Sequence, residues 1–138
     1  MSKVLSFNVH ADPEPQGSAR AFVVGGGRAV VTSDNPHLKR YRRAVALAAT
    51  LALPAAWAPL AGPVIVYVKF TIKRPASVST KKRATPTVRP DLDKLLRAAL
   101  DGLTGIAYVD DAQVIALTTL KVYGDEGVTE ITVTEGLP

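Results

Sequence analysis

Cysteine is absent from the 138 residues, which excludes disulfides and thiolate zinc sites. Histidine is nearly absent too: His10 and His37 lie far apart in sequence and outside any ligand motif. A bound metal would therefore have to be a hard cation held by carboxylate oxygen, which means Mg2+, with Mn2+ as a substitute. Long apolar runs are missing as well. No stretch approaches the roughly 18 uninterrupted apolar residues of a membrane span, and the opening MSKVLSFNVHADPEP lacks the apolar core of a signal peptide. The expectation is a cytoplasmic chain with no membrane partner.

What is present leans basic. Seventeen Lys and Arg face twelve Asp and Glu, a net charge of +5, and the pI is near 9.7. Such a balance favours polyanionic partners without identifying one. Apolar residues make up 47% of the chain, with mean hydropathy +0.14, a surplus that a second copy of the chain could cover. The length suits one domain spanning residues 1–138.

Along the chain, Val4–Val9 reads as a strand stopped by the proline-bearing segment Asp12–Pro15. Ala21–Val24 and Arg28–Thr32 flank Gly25, Gly26 and Gly27 and predict a hairpin. A phosphate-binding loop is excluded there, because no Gly-Lys-Ser/Thr and no helix follow. Ser33-Asp34-Asn35-Pro36 opens a helix that runs through Leu53 to Pro54 and carries Lys39, Arg40, Arg42 and Arg43 in its first turns. Those cations suit either a solvated face or a phosphate-contacting one. Trp57, among alanines and prolines, reads as packing. Val64–Ile72 is β-branched throughout and predicts a strand.

Residues 73–90 form the clearest compositional break, with Lys73, Arg74, Lys81, Lys82, Arg83 and Arg89, several prolines and no acid. They predict a flexible basic loop suited to phosphate contact. Beyond it, Leu92, Leu95, Leu96, Ala99, Leu100 and Leu103 keep the spacing of one helix face, with Gly105 just past the end. Val114–Tyr123 and Val128–Thr134, around Gly124–Gly127, predict a closing hairpin. The order β, ββ, α, β, α, ββ implies an α+β fold with one mixed sheet and two main helices.

Two acidic elements bracket the second helix. Asp91 follows Pro90 at the expected N-cap, and Asp93 lies two residues on, at i, i+4 from Arg97. Asp110 and Asp111 precede the next strand. Taken singly, each pair has an ordinary explanation, as a cap or as a turn. Taken together, four carboxylates near one helix N-terminus would repel one another, and a divalent cation would relieve that repulsion.

At this point a resemblance becomes visible. The stretch RPDLDKLLRAALDGLTGIAYVDDAQV resembles the RusA-type Holliday-junction resolvases, homodimeric endodeoxyribonucleases of bacteria and their phages. Their motif runs Pro-Asp-x-Asp-Asn-Leu-x-Lys, then Asp-Ala-Leu, then Asp-Asp before a strand. Pro15–Arg20 resembles the family's early Pro-x-x-x-x-Arg, and Lys39-Arg40-Tyr41 its lysine and tyrosine on the first helix. The resemblance implies metal ligands at Asp91, Asp93 and Asp111, with Asp110 beside them. It also implies a homodimer acting on branched DNA. This chain departs from the pattern twice, with Lys94 where the family usually has Asn and Arg97 where it usually has a catalytic lysine. An arginine can stabilise developing charge but cannot serve as a general acid.

The reading is a Mg2+-dependent nuclease whose catalytic residues are Asp91, Asp93, Asp111 and Arg97 and whose metal is held by the carboxylates of Asp91, Asp93, Asp110 and Asp111. Arg20, Lys39, Arg40, Arg43 and the cations of residues 73–90 would hold the DNA arms. Three alternatives stay open: a nuclease of the same fold acting on other branched DNA, a junction-binding protein that has lost catalysis, and a carboxylate-rich regulatory cation site.

Overall fold

β4 (Val64–Lys73) organises the molecule, and its alternation explains why. Val64, Val66, Val68 and Phe70 are fully buried on one face, while the residues between them face outward and are half-buried. A computed structural model describes residues 2–17, 20–24, 27–32 and 36–136, with only the backbone path for 20–24 and 28–32. The expected cap at Ser33–Asp34–Asn35, Gly25 and Gly26 of the glycine turn, and the Arg20 side chain lie outside the described residues.

The other elements are β1 (Val4–Val9), β2 (Arg20–Val24), β3 (Arg28–Thr32), α1 (Pro36–Ala52), α2 (Leu92–Leu103), a single 3-10 turn (Asp111–Gln113), β5 (Val114–Gly124) and β6 (Val128–Glu135). Their α+β class, mixed four-stranded sheet and two main helices agree with the sequence expectation. β2 and β3 form a separate antiparallel hairpin, as expected.

The closing hairpin is not formed. The sheet order is β1-β6-β4-β5, with β4 between the two strands predicted to pair. β5 runs parallel to β4, from Val64↔Val114 to Lys73↔Gly124, whereas β6 runs antiparallel to the other edge of β4, with Val66 opposite Val133. The reason is tertiary. The β4–α2–β5 crossover docks β5 along one side of β4, so β6 finds its free ladder on the other side, and Gly124–Gly127 spans the end of β4.

One sheet face packs on both helices. Leu38, Tyr41, Val45 and Ala49 of α1 and Leu95, Ala98, Ala99 and Leu103 of α2 are buried there against Leu5, Val9, Ile131 and Val133. Trp57 packs on the margin of this core, as expected. Thr129 is the only fully buried polar residue among those described, and its hydroxyl meets Tyr41 Oη at 2.6 Å. Tyr41→Phe strands that hydroxyl and is expected to lower the unfolding free energy by about 1–3 kcal/mol. Urea denaturation of Tyr41→Phe and of the double variant with Thr129→Val checks this, since removing both hydroxyls should recover most of the loss.

Candidate active site

α2 begins where the basic loop ends, and the Arg89–Pro90 peptide just before it is cis. Asp91 occupies the N-cap, and its carbonyl accepts from Leu95 N at 3.1 Å. Its carboxylate makes no capping bond, so the side chain sits at the positive end of the helix yet is uncommitted. Asp93 and Arg97 are exposed on the outer face of α2. Asp93 and Arg97, at i and i+4, do not form an ion pair. Among the described residues the ion pairs are Arg42–Asp101 at 3.9 Å and Lys69–Glu130 at 3.6 Å. Asp101 is half-buried and turned toward Arg42 of α1.

The second acidic element divides its labour. Asp110 caps the 3-10 turn: its carboxylate accepts from Ala112 N at 3.3 Å, and its own N–H donates to Gln113 Oε1 at 2.7 Å. Gln113 Nε2 in turn donates to the Leu60 and Gly62 carbonyls, which fixes the turn against the chain entering β4. Asp111 is exposed beside it. Its pKa is held above the ordinary carboxylate value by partial desolvation, then by a hydrogen bond with Asp110, then by the negative charges of Asp110 and Asp101; Arg97 pulls it back down. Asp111 thus lies within electrostatic reach of Arg97 and Asp101 on α2.

The structure therefore brings Asp101, Asp110 and Arg97 within electrostatic reach of Asp111, while Asp91 lies at the N-terminus of α2. Among the described residues, no three acid or histidine side chains are grouped closely enough to hold a metal ion as they stand. In kind, however, the donors suit a hard cation: Asp91, Asp93 and Asp111 are exposed carboxylates, and the first two carry no hydrogen bond or ion pair.

Two clefts meet at Asp91. One, of about 560 Å³, lies between Pro13–Gly17 and the segment Arg89–Asp91 with Lys94. Gln16 N donates to the Lys94 carbonyl at 3.0 Å and so docks the wall of this cleft on α2. The other, of about 660 Å³, lies between residues 85–89 and Thr119–Lys121 of β5, with Asp91 and Leu92 at its end.

The basic loop is tied down at both ends. Lys121 donates to the Val88 and Pro90 carbonyls at 2.9 and 2.8 Å and so fixes the chain on either side of Arg89. The Arg74 guanidinium lies 4.3 Å from the centre of the Tyr123 ring and donates to the Arg83 and Ala84 carbonyls, while Arg83 Nε donates to Tyr123 Oη. Two of the six loop cations are thus turned inward as fasteners. Lys73, Lys81, Lys82 and Arg89 remain exposed, as do Lys39, Arg40 and Arg43 on α1. Lys121, Tyr123 and Gln113 escaped the sequence reading. The one available signal was a lone lysine in the otherwise uncharged run of β5.

Comparison with known proteins settles the family. The model of endodeoxyribonuclease RusA matches residues 12–134. This chain belongs to the RusA endodeoxyribonuclease family. It is also similar to the uncharacterized protein YqaN of Bacillus subtilis (strain 168), 31% identical over 140 residues, covering 95% of this chain and 96% of that one. The RusA match spans every element around the site, from the Pro13–Gly17 wall through α2 to β5 and most of β6.

Proposed function

We propose that this RusA-family chain is a magnesium-dependent, structure-selective endodeoxyribonuclease. As a homodimer it would resolve four-way DNA junctions by paired nicks during recombination and repair. The observation that carries the reading is Asp91, a carboxylate left uncapped at a helix N-terminus, where two open clefts and the cations Arg89, Lys94 and Lys121 converge. That arrangement suits a phosphodiester, whose negative charge must be met by cations while the ligands of a metal stay free.

Asp91, Asp93 and Asp111 would hold the ion, with Asp110 beside them and already engaged in its turn. Magnesium, when bound, supplies Lewis-acid stabilisation of the developing charge and activation of water. The protein's own groups do the rest. Arg97 offers a fixed positive charge near Asp111 and cannot release a proton, so it stabilises charge while solvent protonates the leaving oxygen. The exposed cations of α1 and of residues 73–89 would hold the arms of the junction.

Arg97→Gln is expected to slow cutting by about 10–100-fold. It should also move the acid limb of the pH–rate profile upward: Arg97 lowers the Asp111 pKa, the deprotonated carboxylate is the working form, and without Arg97 that form is lost at higher pH. A profile of single-turnover rates against pH checks both effects. Substrate class is tested with an end-labelled four-way junction, a flap and a linear duplex, each with magnesium. Preferential cutting of the junction supports resolution. Equal or greater cutting of the flap indicates a nuclease for other branched DNA, and tight binding with no cutting indicates a non-catalytic junction binder.

A further inference from the structure

Buried polar atoms normally find partners, and one left without a partner costs stability. Among the described residues three buried side-chain atoms have none: Gln16 Oε1, Thr119 Oγ1 and Trp57 Nε1. Two of these three line the clefts that meet at Asp91, Gln16 in one and Thr119 in the other. Their chemistry differs. Thr119 Oγ1 is a hydroxyl, able to donate, and shares its cleft with the cations Arg89 and Lys121. Gln16 Oε1 only accepts, so a phosphate oxygen cannot satisfy it, whereas a nucleobase N–H can. The apolar rings of Pro13, Pro15 and Pro90 wall that cleft, and about 560 Å³ is ample for one nucleotide.

We propose that one strand of the substrate crosses Asp91 from cleft to cleft. Thr119 donates to a backbone phosphate on one side, and Gln16 accepts from the N–H of an unstacked base on the other. This rests on the nuclease reading for the identity of the strand and adds the two residues that contact it. Phosphate contact contributes affinity for any sequence, and the base contact contributes a preference.

Binding measured without divalent metal separates the two. The probes are a fluorescent duplex with one unpaired nucleotide and the same duplex with that nucleotide made abasic. The wild-type chain should bind the first about tenfold more tightly. Gln16→Met should bring the two within about twofold, with little change for the abasic probe. Thr119→Val should weaken both probes equally, by about five- to tenfold, while raising Tm, because it removes an orphaned hydroxyl from a strand; Thr119→Ser should restore affinity. Unchanged binding in Thr119→Val, or an unchanged ratio in Gln16→Met, would overturn the proposal even if magnesium-dependent cutting is intact. The predicted ratios with no cutting of any DNA would instead uphold the strand path and remove the nuclease reading.

Discussion

Asp91→Asn and Asp111→Asn should each reduce magnesium-dependent cutting of a four-way junction by at least about 10³-fold while leaving binding within about threefold. Asparagine keeps the size and one acceptor oxygen of the carboxylate but removes the charge a hard cation requires. Neither side chain is buried: Asp91 forms no cap bond, and Asp111 is exposed with Asp110 as its hydrogen-bond partner. Loss of activity with an unchanged melting curve would therefore report on chemistry. Asp110→Asn is the informative control. Its side-chain oxygen accepts from Ala112 N, a bond that an amide oxygen can also accept, so this variant should cut far better than the other two. Junction cleavage under single-turnover conditions, with anisotropy for binding, measures all three. A fall in Asp110→Asn as deep as the others would show that the metal depends on Asp110 more than its capping role suggests.

The second large effect is structural. Gly102, in the last turn of α2, lies where the two helices touch: a Cβ there would come within 2.9 Å of Val45 Cβ and Cγ1 and 3.1 Å of the Arg42 carbonyl. The helix cannot accept a side chain without moving off α1, and both helices pack on the same sheet face. Gly102→Leu is expected to cost at least about 3 kcal/mol, lowering Tm by about 10 °C or more. Gly102→Ala should be milder, because the better helix propensity of alanine returns about 1 kcal/mol. Because α2 carries Asp93 and Arg97 and begins at Asp91, its displacement would also shift these residues relative to Asp111. The leucine variant should then lose cutting even at temperatures where it stays folded. Thermal melts and cleavage assays below the new midpoint check the two parts separately.

Local pattern made some of this legible and left the rest dark. The leucine spacing of α2 and the β-branched run of β4 fixed their type, because burial on one face leaves a period in the sequence. The pairing of β5 and β6 was not legible. Their short glycine-flanked connection looks like a hairpin, and only the parallel crossover through α2 places β4 between them. At the site, the acidic residues stood out by type and spacing. Asp110 acts as the cap that its ordinary explanation suggested, and the nearness of Asp111 to Arg97 and Asp101 depends on where the turn before β5 docks, which no spacing encodes. The inward roles of Arg74 and Arg83 were hidden for the same reason: their partners are loop carbonyls and Tyr123, some 40 or more residues on. Gln16 and Thr119 carried no signal at all, since an unpartnered atom is visible only after everything else has been paired.

The central claim is most directly tested by incubating the wild-type chain with an end-labelled four-way junction, with magnesium and with chelator, and mapping the cuts on all four strands. Nicks at symmetry-related positions on two opposing strands, ligatable and absent with chelator, are the predicted result. A junction bound but uncut in magnesium and in manganese would contradict the account.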